Sequence, residues 1–279
     1  QDKRSFTISG NDFAYRIDKG RGMLSGIFAK GREYLDDRTR LSIWRAPIDN
    51  DRNMIGAWKA EGYNTAGVKV YKTELTRTAA TEVAVRVVFS MAGISYMPIL
   101  NGVLEYRVTS DGLLTVHAGV NVRETAMPLP RFGMEFVLPR GSELLEYFGR
   151  GEQENYQDMC RSARVGLYKS TVSGQYFPYI RPQETGNHTA VRWLRVTNKV
   201  GCGLQFSGRP TFNFSALHFT AADLEKAMYT CDLTPREETV VRIDYQQNGV
   251  GSASCGVKLA EKYQFREKYF DFEFDVKPL

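Results

Sequence analysis

Leu114–Val122 reads Leu-Thr-Val-His-Ala-Gly-Val-Asn-Val, with an apolar side chain at every second position. Alternate side chains of a strand leave opposite faces, so this stretch is built to bury one face and wet the other. The same period of two recurs on both sides of it. Leu104, Tyr106 and Val108 alternate with Glu105, Arg107 and Thr109, and Phe270, Phe272, Phe274 and Val276 alternate with Asp271, Glu273 and Asp275. Thr239, Val241, Ile243 and Tyr245 alternate with Arg242 and Asp244, which are expected on a solvated face. One covered side and one wet side is the signature of antiparallel sheets. Turn residues separate the runs: Asn101-Gly102, Ser110-Asp111-Gly112, Gly141-Ser142 and Asn248-Gly249.

Helical signals are few. Ile55–Tyr63 and Thr220–Met228 are each long enough for two turns, and Thr220 with Asp223 three residues on makes a capping pair. The eight helices of a (β/α)₈ barrel are not legible. No linker or repeat divides the chain. The expected fold is all-β, one large antiparallel β-sandwich over residues 1–279 with few short helices.

Composition narrows the function classes. With 42% hydrophobic and 25% charged residues this is not a disordered chain. No apolar run approaches the roughly 18 residues of a membrane-spanning helix, so no membrane partner is expected. The net charge is 37 − 32 = +5, and the longest basic cluster, Lys30–Arg40, is broken by Glu33, Asp36 and Asp37. That scatter argues against a nucleic-acid partner. Cys160, Cys202, Cys231 and Cys255 lie far apart and read as buried or half-buried thiols rather than a zinc set. Three scattered histidines give no metal constellation. The chain opens at Gln1 without a signal-type apolar stretch and reads as part of something longer.

Four stretches depart from generic strand. Leu41–Asp51 contains Trp44, Arg45, Asp49 and Asp51 around Pro47; its acids suit sugar hydroxyls, a cation, or plain turn capping. Glu146–Asp158 supplies Glu154 and Tyr156 beside Gly149 and Gly151. Tyr176–Trp193 gathers Arg181, Glu184, His188 and Trp193 on a Pro-rich segment, where a His–Glu pair is suited to acid/base work. A closing loop held by internal hydrogen bonds is the alternative there. Ile243–Gly256 contains Cys255, with no basic neighbour in sequence to activate the thiol.

These stretches, in this order, resemble the C-terminal domain of bacterial β-galactosidases of glycoside hydrolase family 2. The matching signatures are Trp44–Asp51, Gly149–Asp158, Tyr179–Trp193, Phe214–Leu224 and Asp244–Gly256. The resemblance implies a galactose mutarotase-like β-supersandwich. It also implies a non-catalytic role, packed on a barrel domain that carries the two catalytic glutamates, with a galactoside substrate and a homo-oligomeric parent. A retaining glycosidase needs two opposed carboxylates, and no segment here matches those motifs. The resemblance therefore implies no cofactor in this domain, and places the parent's magnesium and sodium mainly elsewhere. Cys255 stands about where some members carry a sugar-stacking Trp, and Glu152 where many carry Pro. Two alternatives accompany this reading: a carbohydrate-binding module using the Tyr and Trp platforms, and a mutarotase-like epimerase using His188 and Glu184.

Overall fold

The computed structural model describes residues 2–279. It begins with a four-stranded antiparallel sheet of β1 (Ser5–Ser9), β2 (Phe13–Asp18), β3 (Leu24–Ala29) and β4 (Arg32–Glu33). The first strands of the twelve-stranded second sheet are β5 (Asp37–Ser42), β6 (Gly67–Ala79), β7 (Glu82–Ala92), β8 (Leu100–Thr109) and β9 (Leu114–Val122). It continues with β10 (Arg131–Leu138), β11 (Leu144–Gly151), β12 (Arg164–Thr171) and β13 (His188–Thr197). Its last strands are β14 (Gly203–Leu217), β15 (Thr239–Gln247) and β16 (Tyr269–Pro278). Every pairing is antiparallel, as the period-two runs predict.

β14 connects two layers. Its Gly203–Ser207 part lies between β13 and β16, and its Asn213–Leu217 part pairs with β15. One strand thus passes from the long layer, ordered β12-β11-β13-β14-β16-β9-β8-β7-β6, to a short layer of β15, β10 and β5. The layers meet through alternate residues of β10 and β16. The Phe136 ring lies 4.9 Å from Phe206 and 6.2 Å from Phe274, and Phe132 lies 5.1 Å from Phe270. Such tilted and edge-on contacts are favoured by the ring quadrupoles and add to the burial of large apolar surfaces. Leu114, Val116, Ala118, Val120 and Val122 all face this core. The small sheet joins the same core and is pinned to it by tyrosines: Tyr15 donates to the Gly112 carbonyl at 2.7 Å, and Tyr106 to the Gly22 carbonyl at 3.1 Å.

Both expected helices form, as α1 (Ile55–Ala60) and α2 (Ala221–Lys226). Thr220 caps α2 by accepting from Asp223 N at 3.1 Å, and the Asp223 carboxylate returns the contact to Thr220 N at 2.8 Å. Three expectations need correction. Asn101-Gly102 is not a turn but lies inside β8; Gly102 stands there because a Cβ would collide with the Gly119 carbonyl and sit 3.2 Å from the Phe89 ring. Cys231 and Cys255 are exposed rather than buried. Arg242 and Asp244 are 2% and 1% exposed: Arg242 lies against Glu135 of β10, and Asp244 is closed in by Arg131 and the segment that carries Glu184.

Candidate functional site

Around Asp244 lies a network of charges. Arg131 on β10 is wholly buried, and its Nε donates to Asp244 Oδ1 at 3.3 Å while a second nitrogen donates to Oδ2. Its third nitrogen stands 3.6 Å from the Glu184 carboxylate. The pairing follows from register: Gly133 sits opposite Asp244, and its lack of a side chain leaves room for the carboxylate. Burial pushes the Asp244 carboxyl up to about 6 against the pull of Arg131. Burial also works against the Arg131 charge, but Asp244 and Glu184 outweigh it and hold that guanidinium above its ordinary value.

Hydrogen bonds carry the network outward into all four unusual stretches. Gln247 donates to Glu184 Oε1 at 3.2 Å and to Asn187 Oδ1 at 2.8 Å. Asn187 donates to the Asn155 carbonyl at 2.8 Å, and Asn155 accepts from Thr189 N at 2.9 Å. Glu184 N reaches the Ala46 carbonyl at 3.2 Å. Beside it, Arg45 is fully buried, donates to the Asn248 carbonyl at 2.7 Å and pairs with Asp51 at 2.9 Å. Asp158 accepts Val250 N and Gly251 N at 2.9 and 2.7 Å, and Asn50 holds the Gly251 carbonyl and Ser254 N at 2.8 and 2.9 Å. Four segments distant in sequence are thereby fastened into one end of the sandwich.

The individual candidates divide accordingly. Arg45, Asp51 and Glu184 are locking residues with fixed partners. Glu154 accepts from the Tyr179 hydroxyl, from Gly186 N at 2.7 Å and from Thr185 Oγ1 at 3.2 Å, which leaves its carboxylate occupied. Tyr156 is buried beside it, and desolvation raises its phenol well above the ordinary value. Asp49 is exposed and exchanges 3.3 Å contacts with Gln183. Trp44 is half-buried, edge-on to Trp58, and donates to Glu225 at 2.8 Å. Arg181 and Cys255 are exposed, and Trp193 lies in the middle of β13 under the Arg195 guanidinium, away from the cluster.

Glu184 and His188 do not form the pair suggested by their spacing. His188 is 1% exposed, and its Nε2 lies 2.6 Å from Gln175 Oε1 while its Nδ1 lies 3.1 Å from the Tyr147 hydroxyl. Nδ1 also lies 3.1 Å from the Arg150 carbonyl, so both ring nitrogens are held by uncharged hydrogen-bonding groups. Burial lowers the imidazole to about 4, so it is neutral at pH 7. A bulge in β13, with Ala190 at φ 53°, lets His188 and Val191 both be buried despite their odd spacing. Arg131, Asn155, Gln247 and Gln175 were not candidates. Gln247 and Asn155 lay within the unusual stretches, but Arg131 has no local signal beyond a buried-strand position. Among the described residues no three His, Cys, Asp or Glu side chains converge as a metal shell.

Fold and loop cluster together define a large mutarotase-like β-sandwich whose end loops are clamped by buried arginines. A solved protein of Escherichia coli K12, provisionally assigned as an aldose 1-epimerase, shares the fold at 10% identity with a TM-score of 0.50, covering 99% of both chains. A TPR-domain containing protein from Parabacteroides distasonis aligns with a TM-score of 0.54 and 12% identity over 98% of this chain and 46% of its own. Residues 9–276 match the family described as beta galactosidase small chain, and the chain belongs to that family. Proteins named beta-galactosidase from Actinobacillus pleuropneumoniae and Staphylococcus xylosus are 33% and 30% identical over 99% and 96% of the chain. The chain spans about 27% of the length of each of these relatives.

Proposed function

We propose that this chain is the non-catalytic small-chain domain of a β-galactosidase acting on terminal β-D-galactosides, and that its loop cluster helps wall the substrate cleft. The observation that carries the reading is the alignment of nearly the whole chain with only 27% of proteins named beta-galactosidase. The loop cluster supports it. Its buried acids Asp51, Glu184 and Asp244 are engaged by arginines, an arrangement suited to holding loops and not to protonating a glycosidic oxygen. What the clamp presents is a hollow of about 230 Å³ beside Asn50, Met54, Met127, Gly251 and Leu259, with Cys255 in the adjoining loop.

Packing on the remainder of the parent has a surface suited to it. Phe148 and Leu167 are opposite one another on β11 and β12, with Val165 next to Leu167 on the same face; they are 37%, 59% and 44% exposed. In this reading the barrel domain, the parent's magnesium and sodium, its catalytic glutamates and its assembly into a homo-oligomer all involve residues outside this chain. The test is a nitrophenyl β-galactoside assay on the chain alone and on the chain mixed with the rest of the parent polypeptide. The expected result is turnover only in the mixture; hydrolysis by the chain alone overturns the reading.

A further inference from the structure

We propose that the cleft between the Tyr147–Tyr168 face of β11–β12 and the Ser173–Phe177 segment binds a neutral sugar or polyol ring. Its volume is about 690 Å³, and its lining includes Tyr147, Tyr168, Glu152, Gln153, Gln175 and His188. Small-molecule sites fall in this size range and combine an aromatic or apolar wall with a few placed polar groups.

The wall is built for a flat ring. Tyr168 stacks on the buried Tyr147 at 5.4 Å and 28°, and is itself half-exposed towards the cleft. Two glycines make room: a Cβ on Gly151 would lie 2.8 Å from the Tyr168 ring, and one on Gly166 would lie 3.2 Å from it. The floor is neutral and fixed, since His188 Nε2 lies 2.6 Å from Gln175 Oε1 and the Gln175 amide nitrogen in turn donates to Ser170 Oγ at 2.9 Å. One amide hydrogen of Gln175 is left for a ligand.

At the rim, the side chains of Glu152 and Gln153 are exposed and hold no partner among the described residues. They offer carboxylate and amide groups of the kind that bond ring hydroxyls. Charge narrows the ligand class further. The lining carries the acids Glu152 and Glu154 against the single basic Lys169, which is 3.3 Å from Glu146. A phosphorylated or carboxylated sugar would meet like charges there.

The experiment is an NMR titration of the isotope-labelled 279-residue chain with methyl β-galactoside, myo-inositol and glucose 6-phosphate. Saturable shifts are expected at Tyr168, Gln153 and Gln175 with a neutral ring, and weaker ones with the phosphate. Tyr168→Ala should weaken binding about tenfold, the scale of one lost aromatic contact. Gln153→Ala, at an exposed site that does not threaten folding, should also weaken it. Absence of saturable shifts at millimolar sugar overturns the inference, as does unchanged affinity in either variant. Shifts confined to Asn50–Met54 and Val250–Leu259 would also overturn it, while supporting the galactosidase reading, on which this inference does not depend.

Discussion

Arg131 and Asp244, on the neighbouring strands β10 and β15, form a two-point ion pair that is shut off from solvent, with 0% and 1% of their side chains exposed. Two charges so placed gain from each other and lose their hydration, so the pair contributes less than its geometry suggests. Removing one partner is another matter. Arg131→Met leaves Asp244 and Glu184 as buried, uncompensated acids, and about 3–5 kcal/mol of stability is expected to go. Urea unfolding measures this, and the double variant Arg131→Met/Asp244→Leu should regain part of it. A loss below about 1 kcal/mol in the single variant, the scale of an exposed pair, would show that the network does not hold the loops.

His188 and Asp244 titrate in opposite senses. The His188 pKa is depressed from 6.5 to about 4, so above pH 6.5 its contribution is complete, and it is lost as pH falls through 4. The Asp244 pKa is raised from 3.8 to about 6, so the folded state binds a proton first and gains relative stability on acidification through 6. The wild type should therefore show a shallow pH profile in this window. Compared with His188→Gln, it should lose up to about 3 kcal/mol between about pH 7 and about pH 4. Parallel profiles for the two proteins would contradict a buried neutral imidazole.

Thr220→Ala removes the side-chain acceptor at the start of α2 and leaves Asp223 N unsatisfied. A loss of about 1 kcal/mol is expected, with Thr220→Ser nearly neutral. Thermal unfolding of the three proteins decides it, and an unaffected Ala variant would mean that Asp223, already tied to Arg236 at 2.6 Å, holds the turn alone.

The four thiols are free and differ in access: Cys231 and Cys255 are exposed, Cys160 and Cys202 half-buried. A thiol reagent added to the native chain should modify the first two promptly and the others slowly, with all four equal after unfolding. Mass spectrometry of digested peptides identifies which react. Equal native rates would mean that the loops around Cys160 and the Asn198–Cys202 turn open readily.

Much of the architecture was present in local pattern alone. Alternation at Leu104–Val108, Leu114–Val122, Thr239–Tyr245 and Phe270–Val276 located β8, β9, β15 and β16, because a strand's two faces impose a period of two on any sequence that buries one of them. The α2 cap was legible for a similar reason: Thr220 and Asp223 satisfy backbone groups within their own turn. Asn101-Gly102 misled because its reason is a close approach by β9, which no local rule contains.

The site belonged to tertiary structure. Which face of β15 meets water depends on whether another part of the chain lies over it, and Glu184, far away in sequence, is buried beside the Arg131–Asp244 pair. Spacing set Glu184 four residues before His188, yet each found partners on different elements: Arg131 and Gln247 for one, Tyr147 and Gln175 for the other. The sequence by itself determined four of the strands, their inner faces and the family. Only the folded chain decided which polar side chains would be desolvated together, because burial of a charge is a property of everything packed around it.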